Sequence, residues 1–176
     1  MQDDTLIKQA QAGNAQAFEA LLEHYYDLLY RFAYKWCGNR EDAEDVAQQA
    51  CIKLANSIQQ FRFESSFSTW LYRLVINCAK DWQKSQARHQ TDNESSLDIH
   101  ADLNIHEQPE KTVLIAQLLN RLESFSEGMK ETVLLVHAEG FTHGEAATIL
   151  GVKESTVSWR IHEIRKQLQS LFGQGE

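Results

Sequence analysis

The sequence predicts an all-α protein: two small helical domains joined by a flexible acidic linker, the C-terminal one containing a helix-turn-helix. Three observations predict it. Apolar residues recur at three- and four-residue spacing along most of the 176 residues, strand-like alternation is absent, and proline occurs once. Residues 89–108 break this pattern, being polar, acidic and without a strong period. Near the C-terminus two apolar-spaced segments flank Gly151-Val152, which is helix-turn-helix spacing. The chain begins without an apolar signal core, and no run approaches eighteen apolar residues, so a soluble cytoplasmic protein is expected. Cys37, Cys51 and Cys78 are odd in number and widely spaced, which suits reduced thiols and not a disulfide frame or a zinc site.

The elements follow in order. Residues 3–12 form a short helix stopped by Gly13. Asn14 caps a long one in which Phe18, Leu21, Leu22, Tyr25, Leu28, Leu29, Phe32 and Trp36 recur at helical spacing, closed by Gly38. Asn39 caps the next helix. Glu41, Asp42, Glu44 and Asp45 crowd its start, where the helix dipole favours acids. Asp42, Asp45, Val46 and Gln49 are expected to share an outward face, with Val46 as a small apolar anchor for a basic partner surface. Ile52 and Leu54 are expected to point inward.

A fourth helix is expected within Phe61 to Arg88, capped by Ser65 or Ser66. Phe67, Leu71, Leu74, Cys78 and Trp82 fall on one face. Arg73, Asn77, Lys80, Lys84 and Arg88 fall on another, and Trp70 lies on the border. A charged stripe is ordinarily a solvated face, and a tryptophan is ordinarily core. Cations beside an exposed ring also suit DNA that has left the duplex, with phosphate meeting the cations and bases stacking on the ring. Beyond the linker, Pro109 opens a helix over residues 109–125. Ser126 is expected to cap another, which ends at Gly140. A short helix from His143 to Leu150 then leads through Gly151 into a longer one from about Glu154 to Phe172. Val157, Ile161, Ile164, Leu168 and Leu171 form its buried seam, with Ala147 small where the two helices approach. Ser155, Ser158, Trp159, His162 and Lys166 face outward, flanked by Thr156, Arg160 and Arg165. These are side chains that can hydrogen-bond base edges or phosphates.

The formal net charge of −8 is distributed unevenly. Residues 61–90 carry five Lys/Arg against two Asp/Glu, residues 151–168 four against two, and residues 91–110 six acids and no Lys or Arg. Two mildly basic islands in an acidic chain should bind DNA poorly alone; if the chain acts on DNA, a larger partner is expected to supply most of the affinity. His89, His100 and His106 are too dispersed for a compact metal site, and no metal or cofactor is expected.

The stretches NREDAEDVAQQA, FESSFSTWLYRLVINCAKDW and EGFTHGEAATILGVKESTVSWRIHEIRKQL resemble, in order and spacing, bacterial sigma factors of the extracytoplasmic-function group. The resemblance covers about residues 14–85 and 109–170. It implies a region 2 domain (1–88), a linker (89–108) and a region 4 domain (109–176). The first would bind the RNA polymerase clamp through Asp42, Asp45, Val46, Gln48 and Gln49. It would also capture the non-template strand of the −10 element through the loop from Arg62 to Ser66 and through Trp70, Arg73, Asn77, Lys80 and Lys84. In a subset of the family an Asn matching Asn77 helps hold a flipped base, and an amide can both donate to and accept from a base edge. The second domain would read the −35 element through Ser155, Thr156, Ser158, Trp159, Arg160, His162, Arg165 and Lys166.

The implied partners are core RNA polymerase (clamp and flap), promoter DNA and an anti-sigma factor covering both domains. The sequence departs from the usual family pattern at Gln48-Gln49-Ala50-Cys51, at Phe125-Ser126 with Gly128 in the first turn, and at Ser158-Trp159-Arg160 and Glu163. The implied function is promoter-directed transcription initiation, with no catalytic residue of its own. The competing reading is a stand-alone helix-turn-helix regulator binding duplex DNA as a dimer, which leaves the Arg73–Lys84 stripe without a role. An enzyme would need a nucleophile set, metal cluster or phosphate-cradling glycine loop, and none is visible.

Overall fold

A computed structural model describes residues 2–92 and 127–172, and among the described residues every regular element is helical. The chain divides into two units, Met1–Asn104 and Ile105–Glu176, with the division inside the stretch expected to be the linker. The helix expected from Pro109, with His100, His106 and Ser126, lies outside the described residues.

The first unit is built from α1 (Gln2–Gln11), α2 (Ala15–Cys37), α3 (Arg40–Ser57) and α4 (Phe67–Asp92), with a 3-10 turn at Ile58–Gln60. Local chemistry sets the ends. Asn14 Oδ1 accepts from Ala17 N at 3.1 Å to start α2. Gly38, at φ 79°, ends it by donating to Tyr34 O at 2.9 Å. Asn39 and Asp42 cap α3 reciprocally: Asp42 N donates to Asn39 Oδ1 at 2.9 Å, and Asn39 Nδ2 to Asp42 Oδ2 at 2.6 Å. Ser66 caps α4, its Oγ accepting from Thr69 N at 3.1 Å.

Leu21, Leu29, Phe32 and Trp36 of α2 are buried with Ala43, Val46, Ala47, Ala50 and Leu54 of α3 and Leu71, Val75 and Ala79 of α4. Each large apolar side chain so buried contributes about 1.5–3 kcal/mol. The exposed Lys53–Asp81 pair joining α3 to α4 at 3.3 Å contributes at most about 1 kcal/mol, so packing holds these helices together. The Trp36 indole N–H reaches Gln83 Oε1 at 3.1 Å and satisfies the one polar atom of that buried ring.

Three expectations are corrected here. Val46 is 1% exposed, not an outward anchor, and Ile52 is 50% exposed, not inward. The stripe that α3 buries is Ala43, Val46, Ala47, Ala50 and Leu54, at spacings of three, one, three and four, and Ile52 lies off it. Its alanines read weakly as a core, yet they let the backbones approach. Second, α4 continues through the expected start of the linker to Asp92. Third, its buried face is wider than the expected stripe, taking in Tyr72, Val75, Ile76 and Ala79 because α4 packs on both α2 and α3.

The second unit is described from residue 127. Its helices are α5 (Met129–Val133), a π turn (Leu134–Ala138), α6 (His143–Leu150) and α7 (Glu154–Phe172). Gly128, at φ 88°, is the N-cap of α5, two residues later than the Ser126 cap expected. The π turn closes with Glu139 N donating to Leu134 O at 2.9 Å. Past Gly140, Phe141 N donates to Leu135 O at 3.0 Å. Thr142 and Glu145 form a reciprocal capping box on α6. Gly151 takes φ 67°, and Val152 N returns to Ala147 O at 3.1 Å. Val157, Ile161 and Ile164 are buried as the seam predicts, and Leu168 is half-buried.

Candidate nucleic-acid interface

On α4, Arg73, Asn77, Lys84 and Arg88 are exposed, Lys80 is half-buried, and the opposite side is core, so the two stripes separate as their spacing requires. Trp70 is half-buried. Its ring lies 5.7 Å from Phe67 in a near-parallel stack and 5.6 Å from Phe61. Phe67 in turn meets Tyr25 edge-on at 5.2 Å. This aromatic cluster carries the loop from Phe61 to Ser66, where Arg62 is exposed. Tyr25 also donates to Asp3 Oδ2 at 2.9 Å. Burial, reinforced by that carboxylate, pushes its hydroxyl up to about 12, so it stays a donor at any working pH.

On α3, Asp45, Gln48 and Gln49 are exposed, whereas Asp42 is half-buried and engaged with Asn39 as a cap. Asp45, Val46, Gln49, Ile52 and Lys53 line an open groove of about 550 Å³ whose other wall is Cys78, Asp81, Trp82 and Ser85 of α4. The groove therefore offers acids and amides around Ile52, while Val46 forms its floor. Cys78 is buried, and desolvation raises its thiol above the ordinary value, which disfavours thiolate chemistry there.

On α7, Ser155, Ser158, His162, Arg165 and Lys166 are exposed, Thr156 is half-buried, and Trp159 is 54% exposed. Arg160 departs from the expected set. Its guanidinium is turned back to α5, donating to Thr132 Oγ1 at 3.3 Å, and Thr132 Oγ1 donates to Gly128 O at 2.6 Å. A Cβ on Gly128 would fall 2.3 Å from the Arg160 Cζ, so glycine makes room for this contact. Arg160 thus fixes α7 against α5. Beside the exposed face lies half-buried His143 of α6, whose Nδ1 pairs with Ser158 Oγ at 2.8 Å. From the sequence Phe63 was singled out only as part of the loop from Arg62 to Ser66, Ile52 was expected inward, and His143 was given no role beyond the start of its helix.

Among the described residues no three His, Cys, Asp or Glu side chains converge as a metal site, and no helix is long and apolar enough to cross a membrane. The Sigma-70 region 2 family matches residues 21–89, and the Sigma-70, region 4 family matches residues 115–168. The chain is 30% identical to the ECF RNA polymerase sigma factor SigW of Bacillus subtilis, over 94% of this chain and 96% of that one. It is 28% identical to the ECF RNA polymerase sigma-E factor of Haemophilus influenzae, over 96% and 94%.

Among solved structures it is similar in fold to CnrH in complex with the cytosolic domain of CnrY, with TM-score 0.69 and 23% identity over 99% of each chain. It is also similar to the sigma factor RpoE in complex with the anti-sigma factor NepR from Bartonella quintana, with TM-score 0.66 and 22% identity over 92% of this chain and 100% of that one. The matched regions take in the α3 groove, the α4 stripe and the α6–α7 pair, and the chain belongs to the ECF group of RNA polymerase sigma factors.

Proposed function

We propose that this sigma factor divides its work between two separately built faces. The α3 face of the first unit docks on the polymerase clamp through Asp45, Gln48 and Gln49, with Ile52 as the apolar contact and Asp42 as the cap that sets the helix start. The α4 face and the loop before it receive the non-template strand of the −10 element. There Arg73, Lys80, Lys84 and Arg62 meet phosphate, Trp70 walls the aromatic cluster, and the Asn77 amide meets a base edge. The α7 face reads the −35 duplex through Ser155, Thr156, Ser158, Trp159, His162, Arg165 and Lys166, with Arg160 holding the helix in place. Residues 1–88 and 109–176 act as the two functional domains.

The observation that carries this reading is the exposed Arg73–Lys84 stripe of α4. A stand-alone dimeric regulator has no use for a second cationic helix, and that alternative is not favoured. Catalysis belongs to the polymerase, and the protein itself works in the cytoplasm without a cofactor. An anti-sigma factor that covers the exposed faces would hold it inactive. RpoE, which shares its fold, was solved with the anti-sigma factor NepR bound, and CnrH with the cytosolic domain of CnrY.

The test is run-off transcription with core polymerase over a randomised promoter library. The expected result is enrichment of a two-part consensus with fixed spacing. Transcripts that start without sequence preference would reject the reading.

A further inference from the structure

Ser158 stands midway along the exposed face of α7, one turn from Ser155 on one side and from His162 on the other. A serine or threonine inside a helix ordinarily returns its hydroxyl to a carbonyl of the preceding turn. Ser170 and Thr148 do so, donating to Gln167 O at 2.7 Å and to Gly144 O at 3.0 Å. Ser158 Oγ instead lies 2.8 Å from Nδ1 of His143, on the other helix of the pair. Both ends of that contact are fixed. His143 is the first residue of α6 and directly follows the Thr142 cap, which is locked by Glu145. Val157 and Ile161 hold α7 in the core on the side away from Ser158. A Cβ on Gly144 would lie 3.5 Å from Glu154 Oε2, so the two helices come close beside the pair.

A free hydroxyl can donate or accept, so a lone serine distinguishes bases poorly. Bound to an imidazole, its polarity is set by the ring. A neutral ring has one N–H and one lone pair. The first helix of a helix-turn-helix crosses the phosphate backbone, where an N–H at Nε2 is favoured over a lone pair. Nδ1 is then the acceptor, the Ser158 hydroxyl donates to it, and Oγ offers only lone pairs to the groove.

We infer that His143 is a positioning residue for promoter specificity: it holds Ser158 as a pure acceptor, which selects a base bearing an exocyclic amine. Ser158 then takes adenine N6 or cytosine N4 over thymine or guanine on the strand it faces. This rests on the −35 reading of α7. His143 acts through Ser158 and touches no base itself.

The experiment uses holoenzyme assembled from the full chain and core polymerase, at about pH 8, where an imidazole is ordinarily neutral. The probes are promoter duplexes with each of the four bases in turn at every −35 position. A second set places purine for adenine, or pyrimidin-2-one for cytosine, which removes the amine alone. Filter binding reads closed-complex affinity. Ser158→Ala locates the position, as the one where discrimination falls. There the native protein should prefer adenine or cytosine roughly 5- to 30-fold, the range for one hydrogen bond to a base edge, and should lose as much with the amine. In His143→Phe both effects should fall below about twofold, with core binding near native. His143→Asn, whose Oδ1 takes the place of Nδ1, should restore them. Once Ser158 is alanine, His143→Phe should change nothing further.

A His143→Phe holoenzyme that keeps the native preference at that position overturns the inference and leaves the −35 reading standing. A native preference there for thymine or guanine does the same. A further loss of preference from His143→Phe in the Ser158→Ala background would make His143 a reader in its own right, and the inference fails. Equal losses at every position in both His143 variants would return the residue to holding the two helices together. If Ser158→Ala relaxes no position, the part given to Ser158 in reading the −35 element fails, and the inference with it.

Discussion

Gly128 and Arg160 supply the sharpest prediction about the second unit. At φ 88° an alanine costs about 1–2 kcal/mol in backbone strain alone. Its Cβ would also lie 2.3 Å from the Arg160 guanidinium carbon. That group ends a flexible side chain and can swing away, but in doing so it gives up its 3.3 Å bond to Thr132 Oγ1. A bond of that length from a charged donor contributes about 1 kcal/mol. Gly128→Ala should therefore lose about 2–3 kcal/mol in the native background and only about 1–2 kcal/mol where Arg160 is already alanine. The coupling is about 1 kcal/mol. Amide hydrogen exchange in peptides of α5 and α7 reads the local opening free energy of this unit without interference from the other. Strictly additive losses would refute the interlock and return Arg160 to the DNA-reading face.

Asn77→Ala should weaken the open complex by about 1–2 kcal/mol, roughly 5- to 30-fold, and leave closed-complex binding near native. Permanganate footprinting against filter binding separates the two, and equal losses in both count against a role in strand capture. Val46→Ala should destabilise the fold by about 2 kcal/mol through lost burial and the cavity left behind. Ile52→Ala should change stability by less than about 0.5 kcal/mol and instead lower affinity for core polymerase; urea melts and core-binding titrations check the pair.

Thr142→Ala should cost about 1 kcal/mol as a lost cap. The Thr142 amide and hydroxyl, both 2.8 Å from the Glu145 carboxylate, hold its pKa below the ordinary 4.5, the amide most strongly. The stabilisation is therefore complete above that ordinary value and fades as pH falls through the lower folded one. The native protein should lose it on acidification, Thr142→Ala, which keeps the amide contact, should lose a smaller part, and Glu145→Ala should lose none of it, as melting temperatures across pH 3–6 will show.

Much of this was legible in the sequence because helical periodicity and side-chain caps are local. Asn14, Asn39 and Gly151 announced their helix ends, and Arg73 to Arg88 separated from Phe67 to Cys78 by spacing alone. The inward turn of Val46 was not legible, because a stripe made largely of alanines carries little hydrophobic signal. Burial there is decided by which helix packs against it. Arg160 looked like its neighbours on α7, and only the position of α5 shows that its guanidinium turns inward.

The central claim is that neither face suffices until core polymerase holds both units on one promoter. Fluorescence anisotropy of a labelled promoter duplex, titrated with the chain alone and with the chain plus core at the same salt, tests it most directly. Affinity should be weak and unselective for the chain alone and rise by orders of magnitude, with selectivity for promoter over scrambled DNA, once core is added. Tight, selective binding by the chain alone, unchanged by core, would contradict it.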